Sequence, residues 1–478
     1  MLILMDGFDH YATADILKKW NSGGAAIAPS SGRSGGGALS CTNANVTKTL
    51  IAGASWVMGC RVQVSAVSAL SRGLFSLFDA ATLQCDLRIN PDLTLSVTRN
   101  GTALTGGTST NSLSTGSYYY VEWKVTIADS IGANSCKVRV NGVDWITVAT
   151  GQDTKNTANA SANQLTLGPI NAISGTWLID DFYLCDSSGT TNNDFLGDIQ
   201  VDTLYPNADG TYSQWTPSAV NGAHRYWRLY VDAVLSGSTI AIAELKLSLT
   251  PGGASVTTGG TASASNAAVS AASNAFDGSG GTRWATAPSQ VPGWLAYDFG
   301  AGNTKDIRGF SIISENVAGY DSETPSRFQL QYSDDGVAWV TLAVATAANW
   351  LQAETRNFSA DITATPHSAL VDEATPNLTD YNYALTPGLR DSYAFQDLPS
   401  LVSSTVYGLQ INAALLKDDA GNKQVALFAR SGGADSDGAT AALGTSQTYV
   451  SQIFETNGGA AWTQTSVNAL EAGVKVVV

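Results

Sequence analysis

A series of short strand-like segments, separated by turn signals, constrains this chain more than any other feature. Seven segments in the first 186 residues have alternating or continuous apolar patterns, at 56–64, 73–79, 85–89, 93–101, 118–127, 136–142 and 177–186. Turn-forming pairs separate several of them, at Asn90–Pro91, Asn100–Gly101 and Asn141–Gly142. Seven or more strands at this spacing are typical of a β-sandwich, and a short helix is predicted only at 12–20.

Length and composition extend this prediction to the rest of the chain. At 478 residues the chain is too long for one ordinary core. Charged residues make up only 14% of it, and it contains 47 glycines. Low charge with many turn formers favours short strands joined by tight turns. The predicted fold class is therefore all-β, with several β-sandwich domains.

The charge balance excludes some classes of partner. The formal net charge of −15 argues against binding to nucleic acid or to an anionic membrane, because phosphate groups are bound by clustered Lys and Arg. No apolar run reaches the length of a membrane span, so membrane insertion is not expected. The opening sequence MLILMDGFDHY has no basic region before its apolar run, and we expect no secretory signal there.

The cysteines do not have the pattern of a disulfide framework or a zinc site. There are five, all within the first 185 residues, and none has CxxC spacing: Cys41, Cys60, Cys85, Cys136 and Cys185. We expect buried free thiols in a protein made in a reducing cytoplasm.

The order of motifs in the first 200 residues resembles a known family. DGFDHY, GRSGGGAL, the YYYVEWKVTI–CKVRVNG hairpin and LIDDFYLCD resemble the concanavalin-A-like (laminin-G-like) jelly roll of tailed-phage virion proteins, and the resemblance continues through 192–218. In that family the WTPS segment is followed closely by a stretch like HSALVDEATPNLTDYNY, which begins here only at His367. The resemblance implies a concanavalin-A-like sandwich at 1–200, a connecting segment at 201–218, an inserted domain at 219–366 and a closing β-domain at 367–478.

The inserted region resembles a second family. NAFDG, TRW, GWLAYDFG, DIRGFSI and PSRFQLQYSDDGVAWVTL occur in the order of the discoidin family, also called the coagulation factor V/VIII type C domain. Members usually end with an aromatic–Arg strand and a strand containing Glu-Leu. Here the corresponding segments, HRYWRLYVD (224–232) and IAIAELKL (240–247), come first. We infer a circular permutation, which also places the two ends of the insertion close together.

The discoidin resemblance implies a calcium site and a core. In many members an Asp in a turn, the Thr before a Trp and the Glu of the Glu-Leu strand surround calcium, which corresponds here to Asp277, Thr282 and Glu244. The alternative reading of Asp277 is a turn residue only. Four neighbouring aromatic residues are expected to fill the sandwich core: Trp284, Trp294, Tyr297 and Phe299.

A sugar site requires an aromatic face and a few fixed polar groups. Because family members bind sugars or membrane surfaces through loops at one end of the sandwich, the carbohydrate-binding candidates are Arg283, Tyr320, Asp321 and Arg327. Each could instead be a solvated loop residue or an Arg paired with a carboxylate.

Catalytic patterns are absent from the sequence. None of the three histidines accompanies a GxSxG or HExxH motif. The adjacent carboxylates Asp180–Asp181 and Asp372–Glu373 are expected to point to opposite faces of a strand, which would prevent them from flanking one glycosidic bond. We therefore predict no catalytic residues.

The two resemblances together predict a structural component of a tailed-phage virion, assembled in the bacterial host cytoplasm, with an outward-facing module that attaches to host surface carbohydrate. Other virion proteins and a host glycan are the implied partners, and a homotrimer is implied by analogy with phage fibres. The alternatives are a purely architectural virion protein without a ligand and a polysaccharide depolymerase.

Overall fold

The structure is a computed structural model, and it describes residues 1–217, 222–317, 319, 321–360, 366–376, 378, 381–399 and 405–478. The chain forms two compact units. The first unit combines Met1–Thr216 with Pro366–Val478, and the second unit is Pro217–Thr365. Antiparallel sheets dominate both units, which confirms the predicted all-β class of β-sandwich domains.

The first 186 residues are rich in strands. In chain order these strands are β1 Leu2–Asp6, β2 Ser22–Gly23, β3 Ala26–Ala28, β4 Ala38–Cys41, β5 Val46–Gly53, β6 Ser55–Val64, β7 Arg72–Asp79, β8 Thr82–Ile89, β9 Thr94–Arg99, β10 Thr102–Ser112, β11 Tyr118–Thr126, β12 Cys136–Val140, β13 Val143–Thr147, β14 Ala162–Leu167 and β15 Trp177–Asp186. The predicted helix is present as a 3₁₀ turn, Thr13–Asp15, followed by α1, Ile16–Lys19.

These strands form two antiparallel sheets around one apolar core. The first sheet has the order β13-β12-β11-β6-β15-β4-β3, with β1 paired to β15, and the second has the order β10-β9-β8-β7-β14-β5-β2. Large aromatic side chains fill the space between them, including Trp20, Trp56, Trp123, Trp177 and Phe182. The arrangement is a β-sandwich, because alternate residues of each strand point toward the facing sheet.

All five cysteines are buried in this part of the chain and carry free thiols, which confirms their predicted burial. Burial raises the pKa of the Cys41 and Cys136 thiols to about 12, so these two are poorly reactive at neutral pH. In the described residues there is no helix with the length and apolar character needed to cross a membrane.

Two strands follow the sandwich, β16 Pro206–Ser213 and β17 Thr216–Pro217. The chain then enters the second unit, whose strands are β18 Tyr226–Val234, β19 Ala241–Ile242, β20 Glu244–Ser248, β21 Thr261–Ala264, β22 Trp284–Ala285, β23 Gly293–Asp298, β24 Gly309–Ile313, β25 Pro325–Ser333, β26 Val340–Thr346 and β27 Thr355–Ser359. Short 3₁₀ helices lie at Ala272–Ala275 and Asp321–Glu323.

The second unit is also a sandwich. One sheet has the order β21-β23-β18-β25-β26, and it packs against the sheet β20-β24-β27. Trp227, Trp284, Phe310 and Phe328 are fully buried in the core of this unit. The hairpin predicted at SDDG joins β25 to β26, and Asp335 Oδ1 accepts hydrogen bonds from the N–H groups of Val337 and Ala338 in its turn.

The strands that the permutation moves to the front pair inside this sandwich. β18 lies between β23 and β25, with Leu229 opposite both Leu295 and Leu330. β20 pairs with β24 from Glu244–Ile313 to Ser248–Gly309. The pairing expected from the permutation is therefore confirmed.

Both ends of the described second unit contact the same segment, 305–308. The N–H of His224 donates to the carbonyl of Lys305 at 3.1 Å, and the N–H of Ala360 donates to the carbonyl of Arg308 at 2.9 Å. A domain whose two ends lie close together can be inserted into a loop of another domain.

After the second unit the chain returns to the first. Its remaining elements are the 3₁₀ helix His367–Leu370 and β28 Asn382–Tyr383, β29 Arg390–Phe395, β30 Leu409–Leu415, β31 Gln424–Ser431, β32 Ala434–Ala442, β33 Thr448–Phe454, the helix α2 Gln464–Asn468 and β34 Glu471–Val476. A sheet of order β16-β29-β34-β31-β32 joins segments from before and after the second unit. The closing segment is thus part of the same unit as the N-terminal sandwich.

Candidate functional site

The structure brings the three predicted calcium-site residues together. β20 supplies Glu244, and the 3₁₀ helix Ala272–Ala275 leads into the turn that contains Asp277 and Thr282. The Thr282 hydroxyl lies 2.7 Å from Asp277 Oδ2, and the N–H of Ser279 donates to Asp277 Oδ1 at 2.8 Å and to Glu244 Oε1 at 2.7 Å. Gly278 has a φ of 78°, which allows this tight turn.

The two carboxyl groups of this cluster affect each other strongly. Burial raises the pKa of Glu244 to about 7, and its hydrogen bond with Asp277 adds to the increase. For Asp277, burial opposes ionisation, but hydrogen bonds from Thr282 and Ser279 hold its pKa below the usual value. Near neutral pH Glu244 is therefore partly protonated, whereas Asp277 is ionised.

The donor set fits a calcium ion. Two carboxylates and a hydroxyl face one another, and the carbonyl oxygen of Ser279 lies 2.9 Å from Thr282 Oγ1. Calcium is bound by oxygen ligands of these kinds. In the part of the chain that the structure describes, no three His, Cys, Asp or Glu side chains are grouped to hold a metal ion, so a cation here would depend on hydroxyl and carbonyl oxygens as well.

Calcium is expected to raise the melting temperature, and to raise it more at about pH 8 than at about pH 5.5. Between the ordinary pKa of Glu244, 4.5, and its folded value of about 7, the folded state holds more protons than the unfolded state. The calcium-free protein therefore loses stability as the pH rises through this window, and calcium competes with the same proton. Thermal melts with calcium and with EDTA at both pH values measure the effect.

Asp277→Ala is expected to remove the calcium response, whereas Asp335→Ala is the matched control because it also alters an aspartate-stabilised turn of the second unit. Identical melting curves in calcium and EDTA for the unaltered protein would leave Asp277 as a turn residue only.

The predicted carbohydrate-binding residues have different surroundings. Arg283 forms an ion pair with the buried Glu315. Burial raises the pKa of Glu323, and the charge of Arg283 partly offsets that increase. Arg327 is 63% exposed, and its Nε lies 3.8 Å from Asp232 Oδ2. Asp321 lies in the 3₁₀ helix Asp321–Glu323, near Glu323, but its side chain and the whole of Tyr320 lie outside the described residues.

The structure corrects the prediction for Trp294. Trp284, Tyr297 and Phe299 are buried in the core, as predicted, but Trp294 is only half-buried. In β23 the inward positions are Leu295 and Tyr297, so Trp294 and Ala296 face outward because side chains alternate along a strand. The sequence prediction treated the four aromatic residues as one cluster and did not take account of the alternation of side chains along the strand.

This alternation forms a cleft on the outer face of the five-stranded sheet, which sequence reasoning did not identify. Its volume is about 300 Å³, and its lining consists of Tyr226, Thr261, Ser263, Trp294, Ala296, Tyr297, Asp298, Gly336 and Trp339. The sequence did contain a signal for the orientation of these side chains, because alternate residues in 226–230 and in 294–298 face the same side of the sheet.

The prediction that Asp180 and Asp181 point to opposite faces is wrong. The pairing of β15 with β6 shifts register after Asp180, and Asp181 has a φ of 51°, so the strand does not alternate regularly here. The N–H of Arg33 donates to Asp180 Oδ2 at 2.6 Å, while Arg33 Nε lies 3.1 Å from Asp181 Oδ2. Both carboxyl groups therefore contact the same loop residue.

These two carboxyl groups hold the loop 32–37 in place. Burial raises the pKa of Asp180 to about 6 and that of Asp181 to about 7. A Cβ at Gly32 would lie 2.7 Å from Asp180 Oδ2, so the loop packs closely over this carboxyl group. The close packing and the contacts with Arg33 give both carboxyl groups a structural role, which is to fix this loop against β15.

Comparison with known proteins bears on the second unit. Residues 259–366 match the family model of the F5/8 type C domain. The chain contains an F5/8 type C domain. The match begins after β18 and β20, although both strands belong to the sandwich of this F5/8 type C domain, which is the arrangement that a circular permutation produces.

No curated protein matches the chain. Among solved structures, the cellulose-induced protein Cip1 is similar at 17% identity with a TM-score of 0.28, covering 38% of this chain and 97% of Cip1. The alginate lyase Aly36B has 12% identity and a TM-score of 0.28, covering 38% and 95%. A Trypanosoma rangeli sialidase has 11% identity and a TM-score of 0.26, covering 34% and 26%. At these values the likenesses carry no inference about activity.

Proposed function

We propose that the protein is a structural component of a tailed-phage virion whose F5/8 type C domain faces outward and attaches to host cell-surface carbohydrate. The observation that carries the proposal is the F5/8 type C match at 259–366, within a unit that has its own core. The order of phage-type motifs on either side of this domain supports the assignment to a virion.

The proposal extends to the partners and the ion. Other virion proteins hold the first unit, and the protein is a homotrimer, by analogy with phage fibres. A single shallow sugar site binds weakly, because little area is buried and ordering costs consume much of the gain. Several copies on one particle would raise the avidity without new contacts. Calcium, held by Asp277, Thr282 and Glu244, would stabilise the binding module.

Phage particles that lack residues 219–366 are expected to remain intact and to adsorb to host cells at least about tenfold more slowly, because they lose the attachment module. Adsorption is measured as the loss of free phage from solution, with electron microscopy as the control for intact particles. Unchanged adsorption would contradict attachment and favour the architectural alternative. Release of reducing sugar from host polysaccharide by the purified protein would instead identify a depolymerase.

A further inference from the structure

The cleft on the five-stranded sheet has two aromatic walls. Trp294 stands on β23, and Trp339 precedes β26, on the other side of β18. Both indole rings are half-buried, and both border the cleft. Partly exposed indole rings of this kind provide flat apolar surfaces of the type that stack against a ring-shaped ligand.

Trp339 is held in position by a polar network beneath it. The guanidinium of Arg228 lies 4.2 Å from the centre of the Trp339 ring and 6.0 Å from that of Trp294. Arg228 Nε donates to Gln331 Oε1 at 2.6 Å, and Gln331 Nε2 donates to Thr341 Oγ1 at 2.9 Å. This support pre-organises the aromatic wall and reduces the entropy that ligand binding would cost.

The base of the cleft is made of small and polar residues. Ala296 leaves room between the aromatic walls, and the side chains of Thr261 and Ser263 are exposed on the neighbouring strand β21. Asp298 adds a carboxylate, held by Arg225 through two hydrogen bonds of 2.7 and 2.8 Å. These groups offer hydrogen-bond acceptors and donors at fixed positions beside the aromatic rings.

We propose that this cleft is a carbohydrate-binding site for a short neutral glycan segment, with one pyranose face against Trp294, another against Trp339, and sugar hydroxyls bonded to Asp298, Thr261 and Ser263. The proposal rests on the proposed attachment function and places it on the sheet face. A volume of about 300 Å³ lies at the lower end of the range for small-molecule pockets, which suits a short segment.

The charge of the chain favours a neutral ligand. Among the described residues that line the cleft, Asp298 supplies a carboxylate and none is Lys, Arg or His, although Arg225 pairs with Asp298 and Arg228 contacts the Trp339 ring. Its hydrogen bonds with Arg225 hold the pKa of Asp298 below the usual value, so the group is ionised at neutral pH. Arg225 compensates the Asp298 charge locally, but a glycan that carries carboxylates would still meet the formal net charge of −15 of the chain.

The test applies the full-length protein to an array of neutral and uronate-containing glycans, followed by calorimetric titration of the neutral glycan that binds best. Trp294→Ala and Trp339→Ala are each expected to weaken its binding at least about tenfold, because each removes a stacking surface. Trp339→Phe is expected to retain part of the affinity. Thermal melting shows whether each variant is folded.

Two control variants separate this inference from the proposed function. Trp145→Ala alters a half-buried Trp of the first unit, and it is expected to leave binding unchanged. Arg327→Ala tests the alternative candidate site, because Arg327 is an exposed residue of β25 that the discoidin resemblance named, and a binding site in the cleft predicts unchanged binding. Binding that survives both cleft variants but is lost in Arg327→Ala would overturn the cleft site and leave carbohydrate attachment standing. Preference for uronate-containing glycans would overturn the neutral ligand, and absence of binding to every glycan would overturn both proposals.

Discussion

Deleting residues 219–366 and joining Ser218 to His367 is expected to leave a soluble, folded first unit. The strands on either side of the deletion already pair, since β16 lies against β29 from Pro206–Phe395 to Ser213–Asp391. The N–H of Ser368 also donates to Asp209 Oδ1 at 2.7 Å. Because these contacts are internal to the first unit, its melting temperature should change by less than about 5 °C, measured by circular dichroism and calorimetry.

The matched control is the second unit by itself, as residues 222–364, which is expected to melt cooperatively because it has its own core. A deletion protein that forms only aggregates, although residues 222–364 fold, would show that the first unit depends on the second.

Lys19→Ala is expected to destabilise the first unit by about 3–5 kcal/mol, because it leaves a buried carboxylate without its cation. The side chains of Lys19 and Asp6 are 1% and 0% exposed, and Lys19 Nζ lies 3.2 Å from Asp6 Oδ1. Burial would raise the pKa of Asp6, but the charge of Lys19 and the hydroxyl of Tyr11 lower it below its ordinary value. Urea unfolding, followed by tryptophan fluorescence, measures the change in the free energy of unfolding.

Lys18→Ala is the matched control on the same helix, since Lys18 is partly exposed and pairs with Asp15 at 2.8 Å. Its expected cost is at most about 1 kcal/mol. The double variant Asp6→Asn with Lys19→Met is expected to recover much of the loss, because it removes both charges. Equal destabilisation by Lys18→Ala and Lys19→Ala would contradict the assigned role of the buried pair.

The strand pattern could be predicted where the apolar alternation was strong. The segments around Met58, Val121 and Ile179 all form central strands of the first sandwich. Strands with small or polar residues were not predicted, and β10, Thr102–Ser112, is an example. Such a strand is specified by pairing with β9, which a short sequence window does not contain.

The candidate sites were predictable to different degrees. Asp277, Thr282 and Glu244 were found through a family resemblance, although Glu244 is distant from the other two in sequence and reaches them only through the sandwich. The orientation of Trp294 was predictable from alternation, but the cleft was not. It depends on Trp339, which is brought beside β18 by the pairing of β25 and β26.

Asp181 shows a different limit of sequence reasoning. A regular strand would have turned its side chain away from that of Asp180, and only the register shift in β15 brings both to Arg33. Left-handed backbone at a non-glycine residue is uncommon, and the surrounding contacts stabilise it here.

The position of β18 has a consequence for how the second unit is made. This strand is synthesised first but lies in the middle of its sheet, where it pairs with both β23 and β25. On the ribosome it must wait for partners that emerge later, so the sheet assembles through contacts that are distant in sequence, which slows folding. A fragment cut to the borders of the family match, 259–366, would lack this central strand. It would expose the facing edges of β23 and β25, and two open edges invite aggregation.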